Sequence, residues 1–477
     1  MSQTLAVSLW SMETTMKTAP PKAARLAACF VAFLLAAPVL SAPTLKWTVD
    51  CSRGQSIGRA LEHAPPGFKL TLTVRGTCNE AVVIERDDVT LQGDAVTGAV
   101  INAPRLEIGI TVRAMRVLID RMTVQGGNDG IMVYGVMDTY VTNTTIRDVA
   151  RWGLVSKNAH AFVRGCTVER SGLDGISLQR GSARLVDCQI RANHGAGIGG
   201  GNASGLNISG STVASNGSDG IWLDMSSQAT IHDDNTITSN GLSSTAPGAG
   251  VNVTGGSTVE ISASAITNNA GPGLRLYGKA YATATNNTIT GNGSNGVEAY
   301  GSSHASLSGN TIAGNGTKAP NDPNFVSGVV VHTSNLDLSG NQIASHPGTG
   351  VRASAATVTS YENTITGNAG GGVLLYPASQ LVMNNDIISR NGAFGLVLSL
   401  NSVAQLLGAN VQFNSGDGIT LQYGSKLNFV AAASTSGGNS GYGLQCVDPE
   451  SSVVGAQMLT ASPPNGQGGV SPGCTGF

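Results

Sequence analysis

The chain repeats one hydrophobic pattern from near its beginning to near its end. A Gly followed by Ile, Val or Leu recurs with its apolar member at Ile110, Ile131, Leu154, Ile176, Ile198, Ile221, Val251, Leu274, Val297, Val329, Val351, Val373, Leu396, Ile419 and Leu444. The steps are 21 to 25 residues, except for 30 between Ile221 and Val251 and 32 between Val297 and Val329. A second apolar column runs half a period away, through Val124, Ile146, Val168, Ile190, Val213, Ile237, Ile266, Ile289, Ile312, Ile343, Ile365, Ile387 and Val411. Asn stands two residues before its later members, at Asn235, Asn287, Asn310, Asn341, Asn363 and Asn385.

A period near 22 with short β-branched runs excludes helical repeats, which need 33 or more residues and helix formers. It predicts a solenoid of parallel strands, each paired with its equivalent one turn away. Fifteen such coils, at roughly 4.8 Å each, make a rod of about 70 Å. Gly before each inward residue lets the backbone turn a corner without Cβ strain. Asn and Ile two apart share a face. Stacked inward Asn side chains can then bond one another and the turn backbone.

The Gly-Ile-x-Leu strands, as in Gly175-Ile176-Ser177-Leu178, and the Asn-x-Ile corners, as in Asn363-Thr364-Ile365, resemble the right-handed parallel β-helix superfamily of pectate lyases, polygalacturonases and periplasmic repeat proteins. The resemblance covers about residues 80–445 and is architectural. It implies an all-β, single-domain parallel β-helix with a cap at each end: 43–80, then the helix over 81–445, then 446–477. Ser56 to Leu61 reads as a short amphipathic helix lying over the first coil. Cys166 and Cys188 fall in the inward column one coil apart and read as buried thiols. Cys51–Cys78 and Cys446–Cys474 are then the natural disulfides, one at each end, where a solenoid exposes its core.

Residues 1–42 read as an extension plus a secretory signal starting at Met16. Lys17, Lys22 and Arg25 precede an apolar run from Leu26 to Leu40, and a small-residue cut follows Ala42. The run is too short to span a membrane. A secreted or periplasmic location, a protein not embedded in the membrane, and a monomer are the expectations. With 27 basic and 29 acidic residues, net charge −2, the chain has no general electrostatic reason to bind nucleic acid.

Reaction type has no motif behind it. The paired Asp, Gly-His-Gly and Arg-Ile-Lys set of polygalacturonases is absent, as are the Asp-Pro-His of mannuronan epimerases and the calcium-binding nonapeptide array. Seven His and ten Met show no metal-ligand spacing. No metal or cofactor is evident, and calcium is left open without a motif to hold it.

Strand alternation instead points to a face. Between Trp222 and Tyr376 the outward positions carry Trp222, Asp224, Arg275, Tyr277, Glu298, Tyr300, His332, Arg352 and Tyr376, in a chain only 12% charged and 5% aromatic. The long steps insert about eight residues near Gly241–Gly248 and about nine near Gly316–Val326, at corners flanking the two coils that carry Arg275, Tyr277, Glu298 and Tyr300. The expected ligand is an acidic polysaccharide, and the expected chemistry is lyase- or epimerase-like. Arg275, Glu298, Tyr300 and His332 are the candidate catalytic set, with Trp222, Asp224, Tyr277, Arg352 and Tyr376 binding. The alternative is a non-catalytic glycan binder or structural rod. Asp129, Asp174 and Asp219, each just before Gly, read first as turn residues.

Overall fold

A computed structural model describes residues 43–242, 247–318 and 326–474. The expected signal segment, the Met16 start and part of each inserted corner lie outside these residues. The described chain is a single β-solenoid of about eighteen turns. Each turn contributes to three parallel ladders, here called sheets A, B and C. A typical turn runs Tyr281–Thr285 in sheet A, Thr288–Thr290 in sheet B and Val297–Tyr300 in sheet C. Each strand pairs with its equivalent one turn on, as in Tyr281↔His304, Thr288↔Thr311 and Val297↔Val329.

The expected fifteen coils fall short because the chain also coils before Ile110 and after Leu444. Thr44–Asp50 pairs with Lys69–Cys78, and Lys69–Cys78 with Val89–Gly93. At the other end Ser452–Val454 and Gly468–Val470 continue sheets A and C. At the N-terminal end the sheet C strand Val82–Ile84 follows Ala81 instead of Gly, whereas at the far end Gly469-Val470 keeps the corner Gly and pairs with the strand of Leu444.

At the first coils a short helix, Ile57–His63, begins at Ser56, and the Glu80 carboxylate satisfies its N-terminus. That carboxylate accepts from the Ser56 hydroxyl (2.8 Å) and from the amides of Ile57 (2.8 Å) and Gly58 (3.1 Å). Ile57 is fully buried. Disulfides join Cys51 to Cys78 and Cys446 to Cys474, while Cys166 and Cys188 are free and buried.

Inside, the apolar columns stack as continuous rows, and two polar ladders run beside them. One lies at the turn between sheets A and B. There Asn287 Nδ2 donates to Asn310 Oδ1 (3.0 Å), Asn310 to Asn341 (2.9 Å) and Asn341 to Asn363 (2.9 Å). The next member is Asp386, and the inward apolar residue is Ile388, paired with Ile365. The expected members Asn385 and Ile387 are one residue out of frame, and Ile387 is 43% exposed. In Asn384-Asn385-Asp386-Ile387-Ile388 both frames satisfy the spacing, and only pairing with the neighbouring coil separates them.

The second ladder follows sheet B and was not anticipated. It runs through Asn193, Asn216, Asn240, Asn269, Asn292 and Asn315, with amide-to-amide bonds of 2.9–3.0 Å. It resumes through Asn368, Asn391, Asn414, Asn439 and Asn465. Its signal is an Asn three residues after the buried apolar residue of sheet B. His346 fills the gap. Its Nδ1 accepts from the Asn315 backbone N–H (3.2 Å) and its Nε2 donates to the Ile312 carbonyl (3.0 Å). Burial pushes its pKa below the usual histidine value, consistent with a neutral ring.

Candidate functional site

The sheet C face carries the candidate residues in two parallel rows. Arg275 pairs with Glu298, Glu298 with Val330 and Val330 with Arg352. One row over, Tyr277 pairs with Tyr300, Tyr300 with His332 and His332 with Ser354. Trp222 pairs with Asn252, which pairs with Arg275, so it lies two coils from the arginine. Asp224 accepts from the Thr254 hydroxyl (2.9 Å) and is turned toward that coil. Tyr376 follows the strand Gly371–Leu375, is exposed, and donates its amide to the Ala353 carbonyl (2.8 Å).

The two rows differ in depth. Glu298 and Val330 are buried, although they point outward from the sheet, because they stand next to the corner entering sheet C. Tyr277 is 60% exposed and His332 is exposed. The rows therefore form a shallow trough edged by Tyr277 and His332, with Tyr300 half-buried between them.

Glu298 is held by three donors: Arg275 Nε (3.1 Å), the Ser294 hydroxyl (3.2 Å) and Asn295 Nδ2 (2.8 Å). Asn295 Oδ1 in turn accepts the Ser327 amide (2.6 Å). Asn295 occupies the pre-glycine corner position that Asp fills in other coils. Neither it nor Ser294 was singled out in the sequence, yet the pre-glycine column was the signal. Arg275, 32% exposed, is steered through its Nε, which leaves the guanidinium's outer edge toward solvent. Tyr300 is pushed up to about 12, by burial first and then by the Glu298 carboxylate, against the opposing pull of Arg275 and Arg352. It is a phenol throughout the neutral range. The His332 ring is tilted against it, with centroids 6.2 Å apart.

The corner aspartates brace the turns, as ordinary turn chemistry would have them. Each accepts the backbone amide at the equivalent place one coil on: Asp129 from Trp152 (3.3 Å), Asp174 from Ala196 (2.8 Å) and Asp219 from Ala249 (2.6 Å). Asp219 also accepts from Asn252 Nδ2 (3.0 Å), whose own Oδ1 is buried without a partner among the described residues. Burial raises the pKa of both Asp174 and Asp219.

Three overlapping segments, 129–245, 232–376 and 322–456, match the family model described as "Right handed beta helix region". The chain belongs to this family. Several solved structures are similar to the chain at low identity. A pectate lyase, Pel9A, is 15% identical with a TM-score of 0.40, over 56% of this chain and 76% of that one. The Dettilon tailspike protein is 14% identical with a TM-score of 0.41, over 63% and 62% of the two chains. The periplasmic alginate epimerase AlgG is 13% identical with a TM-score of 0.37, over 72% and 79%. These likenesses are of fold. No sequence among the curated proteins matches this chain. Among the described residues no helix is long and apolar enough to cross a membrane.

Proposed function

We propose that this β-helix protein is exported and binds an acidic polysaccharide along the trough of sheet C, with lyase- or epimerase-like chemistry at Arg275. The observation that carries this reading is the guanidinium of Arg275. It is oriented by a buried carboxylate through one nitrogen and bordered by an aromatic row. A planar fork held in this way suits a sugar carboxylate better than a mobile surface cation does. Tyr277 and Tyr300 offer ring faces one row over, and Arg352 stands three coils along, roughly 14 Å away.

In this reading Glu298 positions Arg275, because its oxygens are already committed to three donors. Arg275 binds the uronate carboxylate and stabilises the negative charge that develops as C5 loses its proton. His332 takes that proton. Tyr300, still a phenol, returns one to C5 in epimerisation or to the leaving C4 oxygen in elimination. A purely binding role is the second reading, supported by the commitment of Glu298 and by the exposure of His332.

The test is a panel of acidic oligosaccharides assayed for binding and for new unsaturated or epimerised products. Arg275→Ala should weaken binding by about 1.5–3 kcal/mol, as for a lost charge-assisted contact. Thr420→Ala, in the same row six coils away, should leave binding unchanged. Equal and negligible effects of the two changes would remove the site. Binding without turnover would select the second reading.

A further inference from the structure

Sheet C contains one strand that carries almost no side chains. Ile198–Gly201 reads Ile-Gly-Gly-Gly, and its outward positions, Gly199 and Gly201, lie where neighbouring coils place Ser177, Gln179 and Trp222. Glycine inside a strand is less stable than alanine there, so three in a row need a reason. Neither Gly199 nor Gly201 has the positive φ that would demand glycine. The space around them supplies the reason. A Cβ on Gly199 would sit 3.0 Å from Asp174 Oδ2 and 3.7 Å from Trp222 Cε3. A Cβ on Gly201 would meet nothing within 4 Å. The glycines thus form a bare shelf, with the Asp174 carboxyl and the Trp222 indole reaching over one half and the other half open.

Around the shelf stand an aromatic ring 37% exposed to solvent, the carboxyl of Asp174, and the Gln179 amide bonded to the Ser177 hydroxyl (3.3 Å). An indole face with hydroxyl-binding groups at its edge suits the apolar face and the hydroxyls of a sugar ring. The carboxyl that reaches over the glycines is that of Asp174, while Lys157 stands two coils back in the row of Gly201 and Arg180 donates its backbone amide to the Gly201 carbonyl (3.4 Å). A uronate seated against Trp222 over Gly199 would face the Asp174 carboxyl, and such like-charge contacts are unfavourable.

We propose that the glycan recognised by this protein is a mixed polymer, with an uncharged sugar stacked on Trp222 above Gly201 and an acidic sugar at Arg275, two coils or roughly 10 Å along the trough. This rests on the glycan reading of the trough and narrows its substrate class. Uniform uronate chains are then poorer ligands than chains alternating uronate with a neutral sugar.

The experiment titrates the mature protein with hexasaccharides of two kinds. Hyaluronan and chondroitin fragments alternate glucuronate with an N-acetylhexosamine, whereas oligogalacturonate and oligomannuronate are uniformly acidic. Calorimetry gives affinity, and tryptophan fluorescence reports on Trp222. An alternating hexasaccharide should bind about tenfold or more tighter than the uniform ones and change the fluorescence. Gly201→Val fills the open half of the shelf at a position with ordinary φ and free space, so the fold tolerates it. It should erase the preference while leaving binding of uniform uronates unchanged. Arg275→Ala should weaken both kinds. Equal or tighter binding of the uniform uronates, or a Gly201→Val variant that keeps the preference, overturns the mixed-polymer inference and leaves the glycan reading standing. No binding of any hexasaccharide overturns both.

Discussion

Replacing Asp386 by Asn should make the protein more stable. Asp386 is fully buried in the ladder between sheets A and B, where other coils place Asn. Its Oδ1 accepts from the Asn363 amide (2.8 Å), Asn363 Nδ2 (2.8 Å) and the Ser360 hydroxyl (2.9 Å). Its Oδ2 is buried with no partner among the described residues. Burial raises the pKa despite those three donors, so desolvation of the charged form outweighs its hydrogen bonds. An amide keeps the acceptor and places an NH2 where Oδ2 is orphaned. By the ladder pattern that NH2 meets a backbone carbonyl of sheet A, as Asn363 Nδ2 meets Leu338 (3.1 Å). Leaving a buried polar atom unpaired costs about 1–3 kcal/mol, and a new neutral hydrogen bond returns about 1 kcal/mol. Loss of the charge assistance on Oδ1 offsets part of this, which leaves a gain of about 1–2 kcal/mol at neutral pH.

The sign with pH follows from the direction of the shift. A folded-state pKa raised above the ordinary 3.8 gives stability that is present below that value and lost as pH rises through the raised one. The advantage of Asp386→Asn should therefore be largest at about pH 7 and shrink toward about pH 4. Denaturant midpoints of both proteins across that range measure it, and comparing the two cancels the other titrating groups. A variant less stable at neutral pH, or an advantage that does not change with pH, would falsify the account of Asp386 as a buried carboxylate short of one partner.

Further outcomes test other parts of the structure. His346 has its pKa lowered by burial, so stability should fall as pH drops below the ordinary 6.5, and His346→Asn, which restores the ladder residue, should flatten that dependence in acid titrations. Glu298→Gln should leave the fold intact but loosen Arg275, weakening acidic-glycan binding by about 1 kcal/mol without abolishing it. A result equal to Arg275→Ala would mean that Glu298 itself touches the ligand. Opening the Cys51–Cys78 loop by a double Ser substitution should cost about 3 kcal/mol, while Cys166 and Cys188 should resist thiol reagents until the protein unfolds. Small-angle scattering of residues 43–477 should show an elongated particle of roughly 80 Å, and a compact sphere would contradict the solenoid.

The period of about 22 residues, the inward apolar columns, the helix near Ser56 and the terminal disulfide pairs were all legible without coordinates. Each is a local pattern repeated many times, or a residue whose place follows from the repeat. Where the repeat loses its marker, the reading failed. The first coils lack the corner Gly, with Ala81 before Val82–Ile84, and the last coil, marked by Gly469-Val470, lies beyond the regular run ending at Leu444, so about three turns are added by the structure. At Asn385 and Asp386 two frames fit the pattern equally, and only hydrogen bonding to the adjacent coil selects the buried one.

The candidate face was legible as a set of outward residues, because alternation along a strand is local. Its depth was not. That Glu298 is buried and tied to Ser294, Asn295 and Arg275 depends on the corner rising beside it, a contact between segments set by how the turns stack. The shelf at Gly199 and Gly201 has the same origin. Three glycines in a row carry no side-chain chemistry of their own. Only the neighbouring coils, with Asp174 on one side and Trp222 on the other, turn the missing side chains into a shaped space.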